Sequence, residues 1–141
     1  MNKNQRTTYD IIVIGGGITG AGIARDCALR GLKVLLVEKF DMTNGATGRN
    51  HGLLHSGARY AVTDNESATE CIQENMILRK IARHCVEETD GLFITLPEDD
   101  LSYQKTFVTA CQNAGIRADI IAPEEAIRLE PAVNPTLIGA V

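Results

Sequence analysis

The sequence predicts an α/β protein in which a Rossmann-like β-α-β unit is followed by the beginning of an α+β domain. Two short, apolar, β-branched runs at residues 9–14 and 33–37 flank a segment with helical periodicity. A glycine-rich turn joins the first run to that segment, and strand-like and helix-like segments alternate through the rest of the 141 residues. Together these observations are typical of two parallel strands joined by a crossover helix, and such crossovers are right-handed.

The first strand, the helix and the second strand are each predicted from their own pattern. Residues 9–14 are almost wholly apolar, which predicts a strand buried on both faces. Residues 18–30 place apolar side chains at helical spacing, and Gly31 is typical of a helix end. Residues 33–37 predict a second buried strand that ends at Glu38.

Residues 40–60 follow neither the strand nor the helix periodicity. A connection of this length is uncommon in a compact domain unless it has a function. Part of the segment is expected to form a short helix, for example near residues 53–55. The segment carries four glycines, two arginines and two histidines: Gly45, Gly48, Gly52, Gly57, Arg49, Arg59, His51 and His55.

The second half of the chain predicts further helices and strands, several of them bounded by proline or glycine. A long helix is expected at residues 66–85, begun by a capping box of Thr63 with Glu66 or of Ser67 with Glu70. It is apolar around more than half of its circumference, which is typical of a helix packed on two sides. The other predicted elements are a strand at 92–96, a helix at 101–114 ending at Gly115, a strand at 116–121, a short helix opened by Pro123, and the start of a strand at 135–141.

Composition and charge argue against several classes of protein. The chain has 18 acidic and 14 basic residues, a net charge of -4, few aromatic residues and no tryptophan, so we expect no nucleic-acid partner. No apolar run approaches the length that spans a bilayer, and the first ten residues lack the apolar core of a signal peptide. The four cysteines form no C-x-x-C pair, so we predict no metal site.

Residues 15–20, Gly-Gly-Gly-Ile-Thr-Gly, form a G-x-G-x-x-G motif between the first strand and the helix. In this position Gly15 permits a tight turn, Gly17 allows backbone N–H groups to reach a diphosphate, and Gly20 lets the helix pack closely on the strand. The N-terminus of the helix adds free N–H donors and a partial positive charge. The motif therefore predicts that the chain binds a dinucleotide.

Glu38 narrows the choice of dinucleotide. It lies 21 residues after Gly17, at the end of the second strand. A carboxylate at this position accepts hydrogen bonds from ribose hydroxyls and repels a 2′-phosphate, which predicts NAD or FAD rather than NADP. The long segment at 40–60 favours FAD, because Arg49 and nearby N–H groups suit an extended flavin dinucleotide, but the residues alone leave NAD open.

Longer stretches of the sequence resemble the FAD-dependent oxidoreductases grouped with D-amino-acid oxidase and glycerol-3-phosphate dehydrogenase. The first is DIIVIGGGITGAGIARDCALRGLKVLLVEK, at residues 10–39. The second, GATGRNHGLLHSGARYAV at residues 45–62, resembles the flavin-contacting loop of the large, FAD-carrying subunits of bacterial glycerol-3-phosphate dehydrogenases. The similarity continues through ENMILRKIARHCVEETDGLFITLPEDDL and LEPAVNPTLIGAV.

The resemblance implies a reaction and a set of partners. In the bacterial glycerol-3-phosphate dehydrogenases that the sequence resembles, sn-glycerol 3-phosphate is oxidised to dihydroxyacetone phosphate by hydride transfer to FAD, and the electrons pass to a quinone through other subunits. It implies a cytoplasmic protein held at the inner membrane by a partner subunit. Residues 1–85 would form the FAD-binding region, and residues 86–141 the start of a substrate-side domain. Because relatives are much longer, we expect an N-terminal fragment that binds FAD weakly or not at all by itself.

The resemblance also assigns roles to individual residues. Arg59 and Tyr60 are candidates to bind the substrate phosphate or the glycerol oxygens, since the planar fork of arginine suits phosphate. His55 is either a catalytic base or a structural hydrogen-bonding residue. By resemblance, Gly15, Gly17, Gly20 and Glu38 hold the ADP part of FAD, Thr47, Gly48 and Arg49 lie near the diphosphate and ribityl chain, and His55, Gly57, Arg59 and Tyr60 lie at the flavin ring.

Two other functions stay open on the sequence alone. The first keeps the flavin chemistry and changes the substrate to an amino acid or a 2-hydroxy acid, which carries a carboxylate in place of the phosphate. The second is a non-catalytic dinucleotide-binding module. In such a module, Gly57, Arg59 and Tyr60 would tolerate substitution.

Overall fold

Parallel pairing of two strands organises the first part of the chain in a computed structural model, which describes residues 7–141. The strand β1 (Ile11–Ile14) pairs with β2 (Val34–Val37), in a register that sets Ile11 opposite Val34 and Ile14 opposite Val37. The helix α1 (Ile18–Leu29) crosses from one strand to the other. The predicted β-α-β unit is confirmed, with elements slightly shorter than the sequence predicts.

Gly31 ends α1, as the sequence predicts. It has a φ of +82°, and its N–H donates to the carbonyl oxygen of Ala28 at 3.0 Å. The N–H of Leu32 donates to the carbonyl oxygen of Cys27 at 3.1 Å. In this Schellman arrangement, backbone donors satisfy the last carbonyls of the helix, and the chain turns back toward β2.

The strand β1 is covered on one face only. Val13 is 7% exposed, and it lies beneath the first turn of α1. Side chains alternate between the two faces of a strand, so Ile12 and Ile14 lie on the opposite face, where they are 60% and 87% exposed. The prediction of burial on both faces is therefore wrong for β1 in this chain, because α1 covers only the Val13 face.

The described residues, 7–141, form two compact units that divide between Leu53 and Leu54. The first contains β1, α1, β2 and a 3₁₀ helix at Ala46–Arg49, and the second contains the remaining elements. The boundary predicted at residue 85 concerns a different division, between a cofactor region and a substrate-side domain, and it stays a prediction.

Residues 40–60 contain two 3₁₀ helices, Ala46–Arg49 and Ala58–Tyr60. The segment therefore contains short helical turns, as expected, but the example position at residues 53–55 is wrong. The carbonyl oxygens of Leu54 and His55 accept hydrogen bonds from the side-chain amide of Asn75. The side chain of Asn75 therefore holds this part of the backbone, in place of the backbone hydrogen bonds of a helix.

The helix α2 (Asn65–Ile81) begins at a cap that the sequence patterns did not identify. One carboxylate oxygen of Asp64 accepts the N–H of Ser67 at 3.0 Å, and the other accepts the Ser67 hydroxyl at 2.7 Å. The capping boxes predicted from Thr63 and Ser67 are wrong, because Asp64 is the residue that caps the free N–H donors. A 3₁₀ helix at Arg83–Cys85 follows α2, close to the predicted end of the long helix.

The rest of the second unit consists of two helices and a small sheet. The strands β3 (Ile94–Thr95) and β4 (Gly139–Ala140) pair antiparallel. The helices are α3 (Tyr103–Asn113) and α4 (Pro123–Leu129). Pro123 lies in the first turn of α4. A backbone N–H there would have no partner within the helix, so the helix loses no hydrogen bond through the proline. Two predicted helices are thus confirmed, together with two predicted strands in shortened form.

The strand predicted at residues 116–121 is wrong for most of its length. Gly115 has a φ of +82°, and the N–H of Ile116 donates to the carbonyl oxygen of Cys111 at 2.8 Å. Ile116 therefore closes the end of α3, and it is 6% exposed. At the far end of the predicted strand, Ile121 forms an isolated bridge with Ala140.

The larger core of the second unit forms around α2 and α3. Its buried residues are Ala58, Ala61, Ala68, Phe107, Cys111, Ala114 and Ile116. The small side chains of Ala58, Ala61 and Ala68 allow the Ala58–Tyr60 turn to lie close to α2. A second cluster of Ala126, Leu137 and Ala140 joins α4 to β4.

Candidate functional site

The glycine-rich turn folds tightly between β1 and α1. The N–H of Gly15 donates to the carbonyl oxygen of Val37 at 2.8 Å, and its φ of +108° favours glycine. A Cβ on Gly20 would clash with the carbonyl oxygen of Gly15, and it would lie 3.4 Å from Cγ1 of Val13. Gly20 therefore brings the first turn of α1 directly against the turn and the strand.

The N-terminus of α1 faces the hydroxyl of Thr47. Gly17 precedes the helix in an extended conformation and supplies no side-chain cap. The N–H of Ile18 donates to Oγ1 of Thr47 at 3.0 Å, and a Cβ on Gly17 would lie 3.0 Å from the same oxygen. Because Gly17 has no side chain, the N–H donors and the positive end of the helix stay accessible to an anion such as a diphosphate.

Glu38 lies at the end of β2, beside the same turn. One carboxylate oxygen accepts the N–H of Gly16 at 2.6 Å, and the other accepts the N–H of Phe40 at 2.9 Å. The hydrogen bond from Gly16, followed by that from Phe40, lowers the pKa of Glu38 below its ordinary value. The side chain is therefore an anion at neutral pH and points toward the glycine turn, as a ribose-binding carboxylate must.

The lowered pKa of Glu38 predicts a pH dependence of stability. A carboxylate whose pKa is lowered by folding stabilises the fold above its unfolded pKa, and this stabilisation is lost as the pH falls through the folded pKa. The ordinary pKa of a glutamate side chain, 4.5, serves as the pKa of Glu38 in the unfolded chain. We expect Glu38→Gln to lose more free energy of unfolding at pH 7 than at pH 3, measured by urea denaturation without added FAD. The exposed Glu74→Gln serves as the control, and a Glu38→Gln deficit that is constant across this range would contradict the prediction.

A cleft of about 420 Å³ lies at the start of α1. It is lined by Gly17, Glu38, Lys39, Phe40, Asn44, Gly45, Ala46, Thr47 and Arg49. The sequence predicted four of these positions as cofactor contacts: Gly17, Glu38, Thr47 and Arg49. The other five were not predicted as contacts, among them Lys39 and Phe40, which follow Glu38 directly. The Lys39 ammonium lies 4.9 Å from the centroid of the Phe40 ring.

Gly48 packs against the loop and does not line this cleft. A Cβ on Gly48 would lie 2.5 Å from the carbonyl oxygen of Thr43. Thr43 has a φ of +62°, which is strained for a β-branched residue, and its N–H donates to the carbonyl oxygen of Gly16 at 3.0 Å. These contacts fasten the loop to the glycine turn. The proposed contact of Gly48 with the cofactor stays a prediction.

The remaining predicted site residues lie in the second unit, on the segment from His55 to Tyr60. Gly57 is buried with a φ of +87°, and a Cβ there would lie 2.6 Å from the carbonyl oxygen of Ala68. Arg59 and Tyr60 follow in the 3₁₀ helix, and both are exposed. The segment therefore presents an arginine and a tyrosine to solvent from a turn that is packed on α2.

Two structural features are not found in the part of the chain that the structure describes. No group of three histidine, cysteine or acidic side chains within residues 7–141 comes close enough to hold a metal ion. Over the same residues, no helix combines the length and the apolar character that a membrane span requires.

Comparison with known proteins decides the family. Residues 10–141 match the family described as FAD dependent oxidoreductase. The chain belongs to the FAD dependent oxidoreductase family. FAD is therefore the cofactor, as predicted, and the NAD alternative is set aside. The residues of the first unit fit the ADP half of FAD: Gly17 leaves the start of α1 accessible, and Glu38 lies beside the glycine turn as an anion.

Among curated relatives, this FAD dependent oxidoreductase is highly similar to proteins named as one subunit of anaerobic glycerol-3-phosphate dehydrogenase. It is 70% identical over 141 residues to the protein of that name in Escherichia coli K12, covering 100% of this chain and 26% of the relative. It is 70% identical over 132 residues to the protein of the same name in Haemophilus influenzae, covering 94% of this chain and 23% of that one. The chain thus spans about a quarter of the length of the curated relatives it matches.

Solved structures confirm the predicted fold class. A crystal structure of glycine oxidase from Bacillus cereus ATCC 14579 superposes with a TM-score of 0.63 at 26% identity. The match covers 94% of this chain and 38% of the oxidase. The short β-α-β unit and the small α+β elements after it therefore belong to a known flavoprotein architecture.

Proposed function

We propose that this chain forms the FAD-binding region of a dehydrogenase that oxidises sn-glycerol 3-phosphate to dihydroxyacetone phosphate. The observation that carries the proposal is the 70% identity, along the full 141 residues, to a protein named as part of a glycerol-3-phosphate dehydrogenase. The geometry of the glycine turn supports the cofactor half of the proposal. The choice of substrate comes from the name of that relative, and the exposed Arg59 and Tyr60 of the second unit are the residues proposed to contact it.

The first unit offers complementary groups for the diphosphate and for the ribose of the ADP moiety. The diphosphate would lie at the start of α1, where it would take the Ile18 N–H from the hydroxyl of Thr47 and where Arg49, which lines the cleft, supplies positive charge. The ribose would hydrogen-bond to Glu38. Each oxygen of that carboxylate accepts one backbone N–H, from Gly16 or Phe40, and keeps a second lone pair for a hydroxyl.

The second unit would supply the groups that contact the substrate. FAD, when bound, accepts the hydride that leaves carbon 2 of the substrate. As the carbonyl forms, the proton of the carbon-2 hydroxyl must pass to a base, and His55 is the candidate for that role. The guanidinium of Arg59 would bind the phosphate, and the Tyr60 hydroxyl would hydrogen-bond to a glycerol oxygen.

We also propose that the electrons leave through partner subunits toward a quinone. The relative in Escherichia coli is named as a subunit, which supports an assembly of more than one chain. In this proposal the protein is cytoplasmic, and it is held at the inner membrane by one of its partner subunits.

Anaerobic reduction of bound FAD tests the proposed substrate. In the full-length enzyme that contains this region, we expect sn-glycerol 3-phosphate to bleach the flavin absorption, and we expect glycine, D-amino acids and 2-hydroxy acids to leave it unchanged. Bleaching by an amino acid or a hydroxy acid alone would instead favour the alternative substrates. FAD that is bound but reduced by none of these compounds would favour a non-catalytic module.

Arg59→Ala in the same enzyme tests the phosphate contact. The loss of a charge-assisted hydrogen bond removes about 1.5–3 kcal/mol of binding free energy, which corresponds to a rise of about 10- to 150-fold in KM for glycerol 3-phosphate. We expect kcat to change less, because the phosphate lies away from the reacting carbon. Arg59→Lys keeps the charge and should lose less. A KM equal to that of the wild type in Arg59→Ala would rule out the contact.

A further inference from the structure

A buried asparagine on α2 holds the backbone next to the proposed catalytic histidine. Asn75 is 8% exposed. Its Nδ2 donates to the carbonyl oxygen of His55 at 3.1 Å and to that of Leu54 at 3.3 Å. These two bonds join the middle of α2 to a segment that lies 20 and 21 positions earlier in the chain.

The position of Asn75 on its helix makes the amide unusual. Ala68 and Ile72, seven and three positions earlier, belong to the core around α2 and α3, and residues at this spacing share one face of a helix. An apolar side chain would suit such a face, and a buried amide is unfavourable there unless it is hydrogen-bonded. The Asn75 amide donates both of its hydrogen bonds to the segment before the Ala58–Tyr60 turn. These two bonds distinguish Asn75 from an ordinary core residue.

Gly57 provides a second anchor for the same segment. Its backbone lies so close to α2 that a Cβ would be 2.6 Å from the carbonyl oxygen of Ala68 and 2.8 Å from Cβ of Cys71. The Asn75 amide holds the carbonyl of Leu54, just before His55, and the carbonyl of His55 itself. Two residues later, Gly57 packs against α2. The backbone that carries His55 is therefore held on both sides by α2.

We propose that Asn75 is a positioning residue, which sets the placement of His55 and of the following Arg59 and Tyr60 at the flavin ring. The inference rests on the proposed function, since that function places this segment at the ring. Without the amide, the peptides of Leu54 and His55 lose their donors and the histidine shifts. A displacement of about 1 Å at a reacting group lowers a rate by about 100-fold, so the chemical step is expected to depend on Asn75.

The experiment uses the full-length, FAD-loaded enzyme with Asn75→Leu, which keeps the number and branching of the side-chain heavy atoms and removes both donors. Gln73→Leu, at an exposed position of the same helix, is the matched control. We expect Asn75→Leu to retain FAD, to shift the visible absorption and the midpoint potential of the flavin, and to slow anaerobic flavin reduction by about 10- to 100-fold. Asn75→Ser, which keeps one donor, should recover part of the rate. Gln73→Leu should match the wild type.

A wild-type reduction rate in Asn75→Leu would overturn the proposal. If Asn75→Leu does not fold, Asn75→Ser decides in the same way, and loss of the fold in both variants would make Asn75 a structural residue only. The flavin spectrum and potential are measured without substrate. They therefore test Asn75 even if glycerol 3-phosphate does not reduce the wild-type enzyme, which would refute the proposed function separately.

Discussion

Replacing Gly20 with alanine is expected to weaken FAD binding by about 5- to 150-fold. The new Cβ would clash with the carbonyl oxygen of Gly15, so α1 must move away from the turn that faces the diphosphate. Overpacking of a tight contact costs about 1–3 kcal/mol, and each 1.4 kcal/mol corresponds to about a tenfold change in affinity. Titration of the full-length apoenzyme with FAD, followed by flavin fluorescence quenching, measures the change.

Gly22→Ala is the matched control for this variant. Gly22 lies in the same helix two positions later, and a Cβ there would meet nothing within 4 Å. Alanine in a helix interior is about 1 kcal/mol more favourable than glycine, so this variant should bind FAD normally and unfold at a slightly higher temperature. Equal FAD affinity in the two variants would show that the close contact at Gly20 is not required.

The second large effect is expected at Gly57, where alanine should destabilise the chain by about 2–5 kcal/mol. Its φ of +87° is unfavourable for any residue with a Cβ, by about 1–2 kcal/mol. The Cβ would also lie 2.6 Å from the carbonyl oxygen of Ala68, and such overpacking adds about 1–3 kcal/mol. Urea denaturation followed by circular dichroism gives the free energy of unfolding.

Gly52→Ala separates these two contributions. Gly52 also has a positive φ, +75°, but a Cβ there would meet nothing within 4 Å. This variant should therefore lose only the part that comes from backbone strain. If Gly57→Ala and Gly52→Ala lose the same stability, the close approach of Gly57 to α2 makes no contribution.

The elements that the sequence predicted well are those whose signals are local. The strand, glycine turn and helix at residues 9–30 each depend on neighbouring residues, and the structure reproduces them with small changes at the ends. Glu38 was found because its spacing from the turn is characteristic of dinucleotide-binding proteins. The close contact of Gly20 with Gly15 follows from the same motif.

The features that were missed depend on a competing partner elsewhere in the chain. Residues 116–121 look like a strand, but the N–H of Ile116 is used to end α3. Residues 53–55 are not helical, because the Asn75 amide holds the carbonyls of Leu54 and His55. One signal for Asn75 was present: it is a polar residue at a position that continues the apolar face of α2.

The start of α2 shows a different limit of sequence patterns. Thr63 and Ser67 each offered a capping box, whereas Asp64 alone satisfies the N–H and the hydroxyl of Ser67. Aspartate and the hydroxyl residues are nearly equal as caps. The choice among adjacent candidates therefore depends on the backbone angle at which the chain enters the helix, which the sequence does not state.

The hydroxyl of Thr47 has a thermodynamic consequence for cofactor loading. It already accepts the N–H of Ile18 at 3.0 Å, so a phosphate oxygen that takes this donor exchanges one hydrogen bond for another and gains little from that bond alone. What the contact provides is preorganisation: the loop of Ala46–Arg49 lies against α1 beforehand, and less conformational entropy is lost when the nucleotide arrives. Affinity at this position therefore depends on loop order as much as on the new bond.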